Sequence, residues 1–131
     1  MLTTAHTRIN WDDVYYAIRT TLVDVEEDKA RHKMLAARRE VGRYEYLASL
    51  LTRAVQETVD FTYQETYDWK AVYTILTNVC EDFEKGSRDN WKANALKSKR
   101  DFRDYTCATL TRYVAEVIDF KDYMSANGVA I

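Results

Sequence analysis

An all-α fold, an antiparallel bundle of four helices, is predicted by three features of the sequence. The chain of 131 residues has no proline and only three glycines, Gly42, Gly86 and Gly128. Proline and glycine are the strongest helix breakers, so a chain nearly free of both can run as long helices. Apolar residues recur at intervals of three and four along most of its length, the period of a helix with one buried face. A hydrophobic fraction of 47% is enough for one domain, spanning 1–131, to bury a core without disulfides or a structural metal.

The first helix is expected over 11–40. Asn10 is a good N-cap, Asp12 and Asp13 place negative charge on the free amides of the first turn, and Ile9 with Val14 fits the hydrophobic staple. Trp11, Val14, Ile18, Leu22, Val25, His32 and Ala36 form its stripe. A second helix over 43–62 carries Tyr44, Leu47, Ala48, Leu51, Val55, Thr58 and Thr62. Gly42, after Arg38 and Arg39, is the candidate turn between them, and one bent helix over 11–62 is the alternative.

Periodicity lapses over 62–67, which reads as a linker. A third helix over 68–85 has Trp69, Val72, Leu76, Val79 and Phe83 at bundle-seam spacing. Lys85, Gly86 and Ser87 supply a cationic last turn, a left-handed cap and a new N-cap in succession. The last helix, over 88–126, would exceed 50 Å at about 1.5 Å per residue. Its inner face is Trp91, Ala95, Phe102, Thr106, Thr109, Tyr113, Val117, Phe120 and Met124. Being longer than the third, it should project an apolar stripe beyond its partners, which favours a homo-oligomer or a place in a larger assembly.

Composition narrows the function. A net charge of −2 with 31% charged residues resembles neither a polyanion nor a strongly basic nucleic-acid binder. Cys80 and Cys107 read as small buried hydrophobes in a reducing, cytoplasmic or equivalent compartment. No apolar run is long enough to cross a bilayer, and the first ten residues lack a leader pattern. A small proline-free interaction protein of this kind would suit a phage or mobile element.

The residue inventory supports no catalytic site and no cofactor. His6 and His32 are far apart, and no metal-ligand spacing or glycine-rich phosphate loop occurs. His32 has Asp28 one turn before it, which suggests a hydrogen-bonded core pair. Glu57 with Asp60, Glu81 with Glu84, and Glu116 with Asp119 are carboxylate pairs at i, i+3. Paired carboxylates can hold Mg²⁺, so an Mg-dependent all-α nucleotide pyrophosphohydrolase is one alternative, although such pairs also arise on solvated faces.

Basic residues cluster at 29–43, with Arg38, Arg39 and Arg43, and at 85–103, with Arg88, Lys92, Lys99 and Arg103 along one helical face. Acidic residues concentrate at 12–28, 57–68 and 116–122. Cations at a helix start oppose the macrodipole, so an acidic helix of the same chain or a phosphate backbone should compensate them. Nucleic-acid binding through the two clusters is therefore a second alternative. The favoured expectation is a non-enzymatic helical subunit that binds protein. Among its ten tyrosines, Tyr15, Tyr16, Tyr46, Tyr63, Tyr67 and Tyr123 are the candidate interface residues, since an apolar ring with a polar tip suits an interface.

Overall fold

The structure is a computed structural model that describes residues 9–59, 65–85, 88–97 and 101–126, without the side chains of 83–91 and 125–126. It is all-helical, with no strand among the described residues. The helices are α1 (Trp11–Glu27), α2 (Lys29–Arg38), α3 (Arg43–Thr58), α4 (Trp69–Lys85), α5 (Arg88–Lys97), α6 (Phe102–Ile118) and α7 (Phe120–Ala126).

Four starts are made in the same way. The side chain of Asn10 accepts from the amide of Asp13 at 3.1 Å, Asp68 from Ala71 at 3.0 Å, Asp101 from Asp104 at 2.7 Å and Asp119 from Asp122 at 3.1 Å. Each satisfies one of the orphan donors of a first turn. In every case a large aromatic residue follows the cap: Trp11, Trp69, Phe102 or Phe120. The expected staple is also in place, since Ile9 and Val14 are both in the core.

Among the described residues seven helices stand where four are expected, because aspartates interrupt the chain where no glycine or proline does. The predicted helix over 11–40 breaks at Asp28, which leaves helical geometry at φ −134°, ψ 52° and whose carboxylate takes Arg31 Nε at 2.9 Å. The predicted helix over 88–126 is interrupted at Asp101, which is extended at φ −68°, ψ 160°, and again at Asp119, at φ −160°, ψ 85°. Among the described residues no helix exceeds 17 residues, so none reaches about 50 Å. The reset also turns the inner face: α6 buries Cys107, Leu110, Thr111, Val114 and Ala115, one residue on from the expected stripe.

The turn after α2 also differs from expectation. Glu40, not Gly42, is left-handed, with φ 57°. The amides of Glu40 and Val41 donate to the carbonyls of Ala37 and Ala36 at 3.1 and 3.3 Å, the paired bonds of a Schellman cap. Gly42 instead is the extended N-cap of α3, and the Glu45 carboxylate folds back over it. A left-handed L-residue carries a steric penalty that glycine lacks. Glu40→Gly is therefore expected to stabilise the fold by about 1 kcal/mol, read as a higher urea midpoint at unchanged m-value.

α4 is described to Lys85 and α5 from Arg88; the turn expected at Gly86 and Ser87 lies outside the described residues. One core cluster joins Val14 and Ile18 of α1, Leu51 and Val55 of α3, Val72 and Leu76 of α4, and Leu110 and Val114 of α6. α1 packs on α3 and α6, and α4 packs on the same two. The Thr52 and Thr111 hydroxyls, buried at this seam, donate to the carbonyls four residues back at 2.7 Å, which removes the penalty of a buried polar group.

Candidate functional site

The break at Asp28 swings α2 across one end of the molecule and opens a cleft of about 670 Å³. Leu22 and Val25 of α1, Leu47 of α3, Val79 of α4 and Leu110 of α6 form much of its apolar lining, and α2 contributes Ala36 and Ala37. Alanines at these positions leave unfilled the space that larger side chains would occupy. Lys29, Lys33 and Arg43 are the charged residues of the lining, which holds no carboxylate among the described residues.

His32 ties α2 to its neighbours in the cleft wall. Its Nε2 lies 2.9 Å from Asp24 Oδ2 and its Nδ1 2.7 Å from the Tyr46 hydroxyl. An ionised carboxylate only accepts, so Nε2 carries the proton, and in the neutral ring the Tyr46 hydroxyl donates to Nδ1. The expected partner was Asp28. The chain turns there, which brings Asp24 into reach and leaves Asp28 to Arg31. Nδ1 and the phenol are thereby engaged with each other, and Nε2 with Asp24.

A second feature lies at the other end of α1. Trp11 Nε1 donates to Asp122 Oδ2 at 2.8 Å, and its ring meets Tyr123 edge-on at 5.2 Å between centroids. Phe120 stacks on Tyr123 at 6.3 Å and is 40% exposed. These three rings run from the core to the surface.

The predicted interface tyrosines divide accordingly. Tyr16 is 61% exposed, and Tyr123 belongs to the aromatic corner. Tyr15 is half-buried; its hydroxyl donates to Asp104 and accepts from Arg19 at 3.2 Å, and burial, followed by the Asp104 bond, pushes its pKa up to about 12. Tyr46 and Tyr67 turn inward, at 4% and 9% exposure, because Tyr46 closes onto His32 and Tyr67 packs edge-on against Trp69. Tyr63 lies outside the described residues.

The basic residues divide as well. Arg103 of α6 is paired with Glu26 of α1, so an acidic helix of the same chain compensates it. Lys92 sits 5.9 Å from the Phe102 ring centroid, and Arg39 and Arg43 lie over Tyr46 and Tyr44 at 5.4 and 5.1 Å, in cation–π geometry. Arg38 is exposed in the last turn of α2, where the helix dipole favours a cation. The break between α5 and α6 interrupts the single stripe expected through Arg88 and Arg103; Lys99 and the Arg88 side chain lie outside the described residues.

Of the carboxylate pairs, Glu57 is bonded to Arg53 at 3.2 Å, Glu116 to Arg112 at 3.3 Å, and Asp119 caps α7. Asp60 and the Glu84 side chain lie outside the described residues. Among the described residues no group of three or more His, Cys, Asp or Glu side chains is placed to hold a metal ion, and no helix is long and apolar enough to cross a membrane. Cys80 and Cys107 are buried, and burial pushes the Cys107 thiol up to about 11, which keeps it a poor nucleophile at neutral pH.

No known family model matches the chain, and no curated protein or solved structure is significantly similar to it.

Proposed function

We propose that this chain is a non-catalytic helical subunit that binds protein, as a homo-oligomer or within a larger assembly. The observation that carries the reading is the aromatic corner. Trp11, Tyr123 and Phe120 are in continuous ring contact, and a rigid aromatic ladder ending at the surface is the kind of feature that anchors interfaces. The projecting last helix, the expected reason for assembly, is replaced by α7 folding back on Trp11. The interface therefore belongs at this corner, with Tyr16 a further candidate.

The cleft is lined by the C-terminal parts of α1 and α4 and the N-terminal parts of α3 and α6. This alternation supports an up-and-down bundle of four main helices with α2, α5 and α7 as short accessory helices. Cys80 and Cys107, packed in the core as small hydrophobes, suit a reducing, cytoplasmic setting.

Sedimentation velocity together with cross-linking in the native source tests the reading. Self-association or a cross-linked partner is expected for the unmodified chain, lost in Phe120→Ser and retained in Leu96→Ser, which removes another large apolar residue, 79% exposed on α5. Circular dichroism confirms that both variants fold. Assembly that survives Phe120→Ser, or no assembly of the unmodified chain in either experiment, would overturn the proposal.

A further inference from the structure

We propose that the cleft beneath α2 is a binding site for a free, single-chain fatty carboxylate. This goes beyond the protein-binding reading and uses a different place: the cleft begins at Leu22, eleven residues along α1 from Trp11, about 16 Å at helical rise. A volume of about 670 Å³ falls within the range of about 300–1,000 Å³ typical of small-molecule sites.

The shape of the charge decides the ligand. Leu22, Val25, Leu47, Val79 and Leu110 give an alkyl tail apolar walls. His32 and Tyr46 bond to each other, so those walls receive their rings with the polar atoms already engaged. Lys29 and Lys33, one turn apart on α2, form no ion pair among the described residues and carry their ammonium groups on flexible stems that can bend over a head group. Arg43 adds a third positive charge to the lining. The acidic residues Asp24, Glu26 and Asp28, which precede Lys29 along the chain, are bound to His32, Arg103 and Arg31. The cleft therefore offers apolar walls beneath a positive rim. A tail with one negative head fits both, a cationic amphiphile opposes the rim, and a neutral alcohol gains nothing from it.

Titration calorimetry of the full chain with decanoate, dodecanoate and tetradecanoate, each below its micelle threshold, tests the site. Burying an alkyl chain should tighten Kd about fourfold per methylene. Dodecanoate should bind about tenfold more tightly than dodecyltrimethylammonium, and the double variant Lys29→Glu, Lys33→Glu should weaken dodecanoate about tenfold while leaving dodecanol unchanged. Ala37→Phe narrows the cleft from its exposed edge and should abolish binding while the helical spectrum is retained. Equal affinity for the cationic amphiphile, no dependence on chain length, or binding that survives Ala37→Phe would overturn the proposal. So would retention on anionic phospholipid vesicles without uptake of free dodecanoate. The Phe120→Ser variant should bind dodecanoate normally, so failure at the cleft and failure at the aromatic corner are separable.

Discussion

Trp11→Ala is expected to lower the unfolding free energy by about 3–5 kcal/mol, the usual cost of truncating a large buried aromatic residue. Domains of this class are stable by only about 5–15 kcal/mol, so a large share of the total would be lost. Trp11 is 6% exposed, and truncation removes the indole that packs in the core, its N–H bond to Asp122 and its edge contact with Tyr123. The damage should also be local. α7 has seven residues, too few to hold together alone in water, and it depends on Trp11 and α6 for its order. Amide exchange over 120–124 should therefore accelerate by more than the global loss explains. Trp11→Phe, which keeps a ring but deletes the donor, should cost only about 1.5–2 kcal/mol and preserve most of that protection. Equal protection of α7 in the native chain and in Trp11→Ala would show that Tyr123 and Phe120 do not depend on the indole.

The sequence made the local rules of this corner legible and its geometry illegible. Asn10 as cap, Ile9 and Val14 as staple and Trp11 as the first helical residue all follow from short-range chemistry, which a few adjacent residues suffice to specify. That α7 returns to meet Trp11 depends on Asp119, a break with neither proline nor glycine. Aspartate competes with the helical backbone through its own side chain, and four Asn or Asp residues followed by an aromatic do cap helices here. The same dipeptide also occurs inside helices, at Asp82–Phe83 and Asp104–Tyr105, so the pattern alone does not mark a start. The break also sets the phase: a helix continuous through 98–101 would keep its register, whereas α6 starts anew after Asp101 and buries Cys107 and Leu110 in place of Thr106 and Thr109.

The cleft was hidden for a related reason. Leu22 and Val25 sit on the predicted apolar stripe, and periodicity assigns such residues to a packed core. Only the turn at Asp28 reveals that α2 crosses over them with small residues, Ala36 and Ala37, leaving space beneath. The available signal was composition, in that α2 has alanines and cations where a seam-forming helix would carry large aliphatic side chains. Tyr46 turns inward for a different reason. Counted along the chain it is an amphipathic ring suited to a surface, and nothing local indicates that His32, fourteen residues earlier, waits for its hydroxyl.

That contact yields the second large effect. His32→Ala is expected to destabilise the fold by about 3 kcal/mol, because it empties a buried position and leaves the hydroxyl of Tyr46, a residue only 4% exposed, without the ring nitrogen it bonds. An unsatisfied buried polar group costs about 1–3 kcal/mol, and the vacated volume adds to this. Tyr46→Phe should cost less, about 1–2 kcal/mol, since only the Nδ1 contact is lost and the Nε2 bond to Asp24 persists. The double variant separates a hydrogen-bonded pair from two independently packed rings. Once the hydroxyl is gone, removing the imidazole no longer strands it, so the combined loss should fall short of the sum of the single losses by about 1 kcal/mol or more. Urea denaturation of the four proteins at pH 8 measures this coupling. Strict additivity would mean that the imidazole and the phenol pack side by side without bonding, and that α2 is held over the cleft by Ala36 and its apolar neighbours instead.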